Sequence, residues 1–371
     1  MFARPWRPTL TGMTTTAAGP PDGPPAALLD AGETAEPLAH NAANEATGGI
    51  WRLTAPDGRR RVLKIAVPKR HVVGSTWGTS DDPAHWNYWK REVLAYRAGV
   101  PATAYADAGI GAPGLVEARD LPDGSVALWL AQVDGVPGAA WDVRTFRDFA
   151  TRLGAAQARW HGAASSYPWQ SRGWLRGYAR SRPDPGPVDW DHPALAAAWP
   201  APLRAGVARL PRDLDRLLDV VATAPRTLAH LDVWPANLIA TATGPVLLDW
   251  AFIGDGALGE DIGNLVVDTF ADGLVPVALV PEVTAAVTDG YLVGLRAAGD
   301  RVDPATVVRA MRASAAAKYS GFGQRMAARV SAGGNVGSAF YDAGGSVADR
   351  LERWRPLLGL LVTWATEALA T

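Results

Sequence analysis

The run LAHLDVWPANLIATATGPVLLDW, Leu228 to Trp250, reads as short buried strands, yet it carries His230, Asp232, Asn237 and Asp249. Buried charge is costly unless it is paired or bound to a metal, so these side chains imply a compensating ligand. Asp232 and Asn237 fit the spacing H-x-D-x-x-x-x-N. In a phosphotransfer loop the Asp at that position orients the attacking hydroxyl and accepts its proton, and the Asn ligates Mg²⁺. A second Asp at the end of the returning strand completes such a metal site, and Asp249 stands there. Mg²⁺ takes few ligands from protein and leaves the rest to phosphates and water.

That chemistry needs a lysine for the phosphates, held by a carboxylate. Arg does almost all the cationic work in this chain, and the lysines are Lys64, Lys69, Lys90 and Lys318. Lys64 lies in VLKIAV, a strand-like run, and Glu92 is the sole Glu between Lys64 and Glu117. Lys64 also reads as a solvent-facing edge-strand residue, but the scarcity of Lys favours the functional reading. Upstream, HNAANEATGG (His40 to Gly49) is a small-residue loop that can fold over phosphates with its backbone N–H groups.

The elements that must position these residues divide the chain. From about Leu38 to Val136 the signals are strands and hairpins: GGIWRLTA, a PDG turn and RRRVLKIAV, then GLVEARDL, a second PDG turn and SVALWLAQV. Between the hairpins, DDPAHWNYWKREVLAYRAG predicts a helix capped by Asp82, with Pro83 at its first position and Gly99 as its stop. Beyond Gly138 helices dominate. TFRDFATRLGAAQARWHG is amphipathic, residues 165–202 read as irregular, and the helix after Leu203 is interrupted at Pro211. LIA and PVLL make one small hairpin through TATG. Helix returns from Val275, with a loop at 331–345.

HLDVWPANLI, VLLDWAFIGDGALGEDIGNL and their order resemble the aminoglycoside phosphotransferase and choline kinase family, relatives of the protein kinases. The family pattern, H-G-D-x-x-x-x-N, then I-D-[FW], then D-[IL]-[AG], is met by His230-Leu231-Asp232, Asn237, Asp249-Trp250 and Asp261-Ile262-Gly263. The resemblance spans the chain from about His40 onward. It implies an α+β, two-lobed, protein-kinase-like fold, with an antiparallel-sheet N-lobe carrying one helix and a mainly helical C-lobe. The divisions expected are a disordered Pro/Gly/Ala/Thr-rich lead (1–30, with Met13 an alternative start), a nucleotide lobe (31–136) and a catalytic and acceptor lobe (137–371). It implies Asp232 as catalytic Asp, Asn237 and Asp249 as Mg²⁺ ligands, and Lys64 with Glu92 as the nucleotide-lobe pair. Gly48, Gly49 and Gln132 complete the expected nucleotide-binding set, and Asp261 and His230 support the catalytic loop. Leu231 replaces the usual Gly, Trp250-Ala251 replaces the protein-kinase Phe-Gly, and the Lys64-to-Glu92 gap is longer than usual.

The expected cofactors are Mg²⁺ and ATP, with GTP possible, and the expected partner is a small hydroxyl acceptor. Asp255, Glu260, Asp261, Asp268, Asp272, Glu282 and Asp289 stand against Arg296 alone in the segment beside the acceptor. Such a segment predicts an acidic cleft suited to an aminoglycoside or amino sugar, while a nucleoside or macrolide is equally allowed. Plainer readings remain for single residues: His230 as a structural group, Asp255 as a turn residue, and the many Trp as packing.

Lys plus Arg is 36 and Asp plus Glu is 37, a balance that argues against nucleic acid. The chain has no Cys, which excludes disulfides and thiolate-bound zinc and fits a cytoplasmic protein. No apolar run reads as a membrane span. A binding module that keeps a kinase fold without catalysis is the competing class, and the intact Lys, Asp, Asn, Asp set speaks against it. A protein-substrate kinase is disfavoured, since AFIGDGALGED leaves little room for an activation segment. The sequence also lacks G-x-S-x-G and H-E-x-x-H.

Overall fold

A computed structural model describes residues 23–69, 72, 75–163, 166–271, 273–334 and 346–370. The first half is built on an antiparallel sheet of β1 (Thr34–Pro37), β2 (Thr47–Thr54), β3 (Arg60–Ala66), β4 (Leu115–Asp120) and β5 (Val126–Ala131), in the order β1-β2-β3-β5-β4. Both expected hairpins are present, each closed by its PDG turn. Alternation sorts the side chains of β2 and β3 to two faces. Trp51, Leu53, Leu63 and Ile65 form a small core with Ala127, Trp129 and Leu28. Ile50, Arg52, Val62 and Lys64 take the opposite face and line a large cavity against the second half of the chain. Of the expected disordered lead, residues 1–22 lie outside the described residues. Ala26–Leu28 forms a 3-10 turn, and Leu28 covers the outer face of the sheet.

The helix expected to open at Pro83 after its Asp82 cap begins eight residues later, as α1 (Arg91–Arg97), followed by one turn, α2 (Val100–Thr103). The cause is Arg91, whose side chain is fully buried. Its guanidinium donates to the carbonyls of Pro83, His85 and Trp86, and to those of Trp169 and Ala251. Those first three carbonyls would otherwise accept helical N–H groups, so residues 83–90 fold as turns around the arginine.

The second half contains β6 (Val136–Pro137), α3 (Val143–Ala158), β7 (Ser171–Arg172), α4 (Trp174–Arg180), α5 (Pro193–Ala198), α6 (Ala201–Arg209), α7 (Leu214–Ala222), β8 (Arg226–Ala229), β9 (Leu238–Thr241), β10 (Gly244–Leu247), β11 (Gly254–Ala257), α8 (Glu260–Ala271), α9 (Val280–Ala297), α10 (Pro304–Lys318), α11 (Phe322–Ser331) and α12 (Val347–Leu369). The segment read as irregular therefore holds α4 and α5. Trp174 and Trp199 from this stretch are buried in the main core. The interruption at Pro211 is real: a 3-10 turn, Leu210–Asp213, separates α6 from α7. Asp255, read as a turn residue, lies in β11 and pairs with Arg226. The loop expected at 331–345 falls largely outside the described residues.

Helices α3 and α9 make the most extensive helix pair. Gly294 permits it, because a Cβ there would collide with the Thr151 carbonyl on α3. By length and composition Val277–Ala297 could cross a membrane, which the sequence reading did not anticipate. Here Val283, Val287 and Tyr291 of that stretch are buried.

Candidate active site

The β9–β10 hairpin and the loop before it form the floor of the cavity, whose volume is about 780 Å³. His230, Leu231 and Asp232 follow β8, and Leu231 has φ 66°, in the left-handed region. Non-glycine residues go there at a cost of roughly 1–2 kcal/mol, so the loop must be held. Asp261 holds it. One carboxylate oxygen accepts from the Leu231 N–H at 2.7 Å and the other from the His230 N–H at 2.9 Å. Gln157 of α3 donates to Asp261 at 2.7 Å, and Tyr291 of α9 donates to Gln157 at 2.6 Å. The α3–α9 pair thus reaches the loop through a chain of buried hydrogen bonds. One turn along α8, Asn264 donates to the Val233 carbonyl at 2.8 Å. Two residues of a single helix face clamp the backbone on either side of Asp232.

His230 is fully buried with its ring edge-on to Trp250. Burial pushes its pKa down to about 4, against the weaker pull of Asp249 and nearby backbone. It is neutral at physiological pH and packs as part of the loop's support. Asp232 lines the cavity, and burial pushes its carboxyl up to about 7. The Lys318 ammonium opposes that rise, while Asp249 and Asp268 add to it. Asn237 donates its amide nitrogen to the Asp232 carboxylate at 2.9 Å and to its carbonyl at 3.0 Å, which turns the amide oxygen to other use.

Lys64 and Glu92, far apart in sequence, meet at 2.6 Å, and the same ammonium reaches Asp249 at 3.1 Å. Burial disfavours charge on all three. For Lys64 the two carboxylates outweigh it and raise its pKa; for Asp249 the lysine outweighs it and lowers the pKa; for Glu92 burial prevails and the pKa is raised. Asp249 also sits at φ 55°, and its side chain is 37% exposed toward the cavity. One carboxylate and one amide oxygen are the donor set that Mg²⁺ accepts when phosphates and water fill its other positions. Among the described residues no group of three or more His, Asp or Glu gathers as an all-protein metal cage.

Of the remaining expected nucleotide residues, Gln132 lines the cavity. Gly48 and Gly49 lie within β2 and not in the preceding loop, and it is His40, Asn41, Asn44 and Thr47 that line the cavity. Gly49 is required where it stands: its φ is 155°, and a Cβ would meet the Trp51 ring.

The acidic cleft does not form as expected. Asp255 and Glu260 are engaged with Arg226 and the Ala257 N–H, Asp261 with the loop, and Glu282 and Asp289 lie exposed on α9. Asp272 is outside the described residues. Beside Asp249, Asp268 alone of that set lines the cavity, and it is taken by Lys318 at 3.3 Å and by the Tyr319 hydroxyl. Lys318, Asn264, Tyr178 and Arg325 escaped the sequence reading as site residues. Lysine scarcity was the one signal that pointed to Lys318.

The family described as APH, phosphotransferase enzyme family, matches residues 50–304. No curated protein matches the sequence. Among solved structures, choline kinase from Cryptosporidium parvum Iowa II is similar with a TM-score of 0.52 at 12% identity, over 92% of this chain and 94% of that one. An aminoglycoside phosphotransferase from Alicyclobacillus acidocaldarius gives 0.48 at 17% identity, over 92% of each chain. Aminoglycoside phosphotransferase APH(3'')-Id from Streptomyces rimosus, in complex with ADP and streptomycin, gives 0.43 at 16% identity, over 79% of this chain and 95% of that one. The choline kinase likeness shows a shared two-lobed, kinase-like fold.

Proposed function

This chain belongs to the phosphotransferase enzyme family, and from that premise we propose that it transfers the γ-phosphoryl group of Mg·ATP to a hydroxyl of a small molecule. The observation that carries the reading is the bridge from Glu92 through Lys64 to Asp249, at 2.6 and 3.1 Å, in the same cavity as the Asp232–Asn237 pair. Lys64 holds the phosphates, steadied by Glu92. Asn237 and Asp249 supply oxygen ligands for Mg²⁺, which when bound neutralises charge on the phosphates. Asp232 accepts the proton of the acceptor hydroxyl as its oxygen attacks the γ-phosphorus; the bond to the β,γ-bridging oxygen breaks, and ADP leaves.

A carboxylate near 7 is matched to this task, because a general base works best with its pKa close to the operating pH. The test is Asp232→Ala. It is expected to fold and bind Mg·ATP with wild-type affinity while turnover, followed as a phosphate mass gain on a hydroxyl acceptor, falls by roughly 10²–10⁴. Near-normal turnover would remove Asp232 from the chemistry. Titrating Mg·GTP beside Mg·ATP decides the nucleotide.

A further inference from the structure

One wall of the cavity carries an arginine of α11, with a second arginine, just after α4, packed behind the cavity's aromatic residues. Arg325 of α11 is half-buried and lines the cavity. Arg182 lies over the Trp77 and Tyr178 rings at 4.5 and 4.3 Å and donates to the Thr76 hydroxyl at 2.6 Å. Among the described residues no carboxylate comes within ion-pair distance of either guanidinium. Elsewhere in the chain, arginines such as Arg61, Arg97, Arg180 and Arg226 each hold an Asp or Glu. Burial, together with the nearby charges of Arg182 and Arg329, pushes the Arg325 pKa down.

Crowded, partly desolvated cations of one sign are unfavourable unless an anion joins them. Asp268, the nearest acidic candidate from the segment expected to form an acidic cleft, is already bound by Lys318 and Tyr319. The surrounding walls are aromatic: Trp77, Tyr178, Phe252 and Phe322 all line the cavity. Such rings bind flat apolar bodies through stacked or edge-on contacts. A polycationic amino sugar would add positive charge beside charge that is already unpaired.

We infer that the acceptor is a hydroxyl compound with a flat aromatic body and an anionic group of the carboxylate type, its ring against Phe322 and its anion on Arg325, three residues further along α11. Its role as acceptor rests on the proposed phosphotransfer; its binding rests on Arg325 and the aromatic lining. Arg325 is then the residue that sets specificity by charge, and Arg182 adds to the local positive charge from behind the Trp77 and Tyr178 rings.

The experiment compares hydroxynaphthoate, its uncharged carboxamide and kanamycin by calorimetric titration, with and without Mg²⁺ and a non-hydrolysable ATP analogue. Hydroxynaphthoate is expected to bind about tenfold tighter than the amide, as loss of one charge-assisted hydrogen bond implies. Arg325→Gln erases that preference, Arg325→Lys restores part of it, and kanamycin binds weakest. Arg182→Gln, expected to weaken the preference, carries the test if Arg325→Gln does not fold. Equal affinity for acid and amide, no binding of either, tighter binding of kanamycin, or a preference unchanged in both arginine variants overturns the inference. Titration of Mg·ATP into the same proteins keeps the two claims apart. Both arginine variants keep nucleotide binding, and a wild type that binds hydroxynaphthoate but no nucleotide contradicts the kinase reading alone.

Discussion

Asp232 is poised between its two protonation states. Its carboxyl, pushed to about 7 from an ordinary 3.8, must be ionised to take a proton, so kcat/KM is expected to rise through about pH 7. Stability moves the other way. Between about pH 4 and 7 the folded protein holds a proton on Asp232 that the unfolded chain has released, so this group's contribution to stability is lost as pH rises through 7. Asp232→Asn therefore loses turnover and gains melting temperature at pH 8, a trade read directly by thermal unfolding. Leu231 sets two effects against each other. Leu231→Gly relieves roughly 1–2 kcal/mol of left-handed strain but empties a buried leucine site, which costs about 2–5 kcal/mol. The variant is expected to be less stable, and a denaturant midpoint above wild type would show that relief of backbone strain outweighs the lost packing. At this scale the sequence was most legible where the chemistry is local: His230, Asp232, Asn237 and Asp249 lie along one short loop and hairpin. Lys318 and Asn264 come from two separate helices, and nothing in local spacing announces that they meet.

Elements were legible where a turn closes them. The β2–β3, β4–β5 and β9–β10 hairpins follow from PDG, PDG and TATG, and Pro211 breaks the helix it interrupts. The start of α1 was not legible, because it is set by Arg91 and its partners Trp169 and Ala251, remote in sequence. Arg91→Met is expected to leave five carbonyls without their donor and to destabilise the fold, since each carbonyl left buried and unsatisfied costs about 1–3 kcal/mol. Since Glu92 is the next residue, KM for ATP rises as well; a variant with wild-type stability and KM would separate α1 from this anchor. Gly294→Ala tests the helix pair behind the loop. Its Cβ meets the Thr151 carbonyl, so α9 must shift, at about 1–3 kcal/mol. Through Tyr291, Gln157 and Asp261 that shift is expected to lower kcat more than it changes nucleotide affinity.

In the whole molecule the sheet half brings Lys64 and Glu92, the helical half brings Asp232, Asn237 and Asp249, and one cavity collects them. The Lys64–Asp249 contact joins the two halves at 3.1 Å. A ligand that binds only the folded state stabilises it by about 2.7 kcal/mol at a hundredfold excess over Kd, so Mg·ATP is expected to raise the melting temperature of wild type and not that of Lys64→Met. The most direct test of the account is calorimetric titration of ATP into wild type and Asp249→Asn, each with Mg²⁺ and with the metal removed. One nucleotide bound per chain, dependent on Mg²⁺ in wild type and largely lost in Asp249→Asn, is the predicted result. Binding that ignores both the metal and the substitution, or no binding at all, would contradict it.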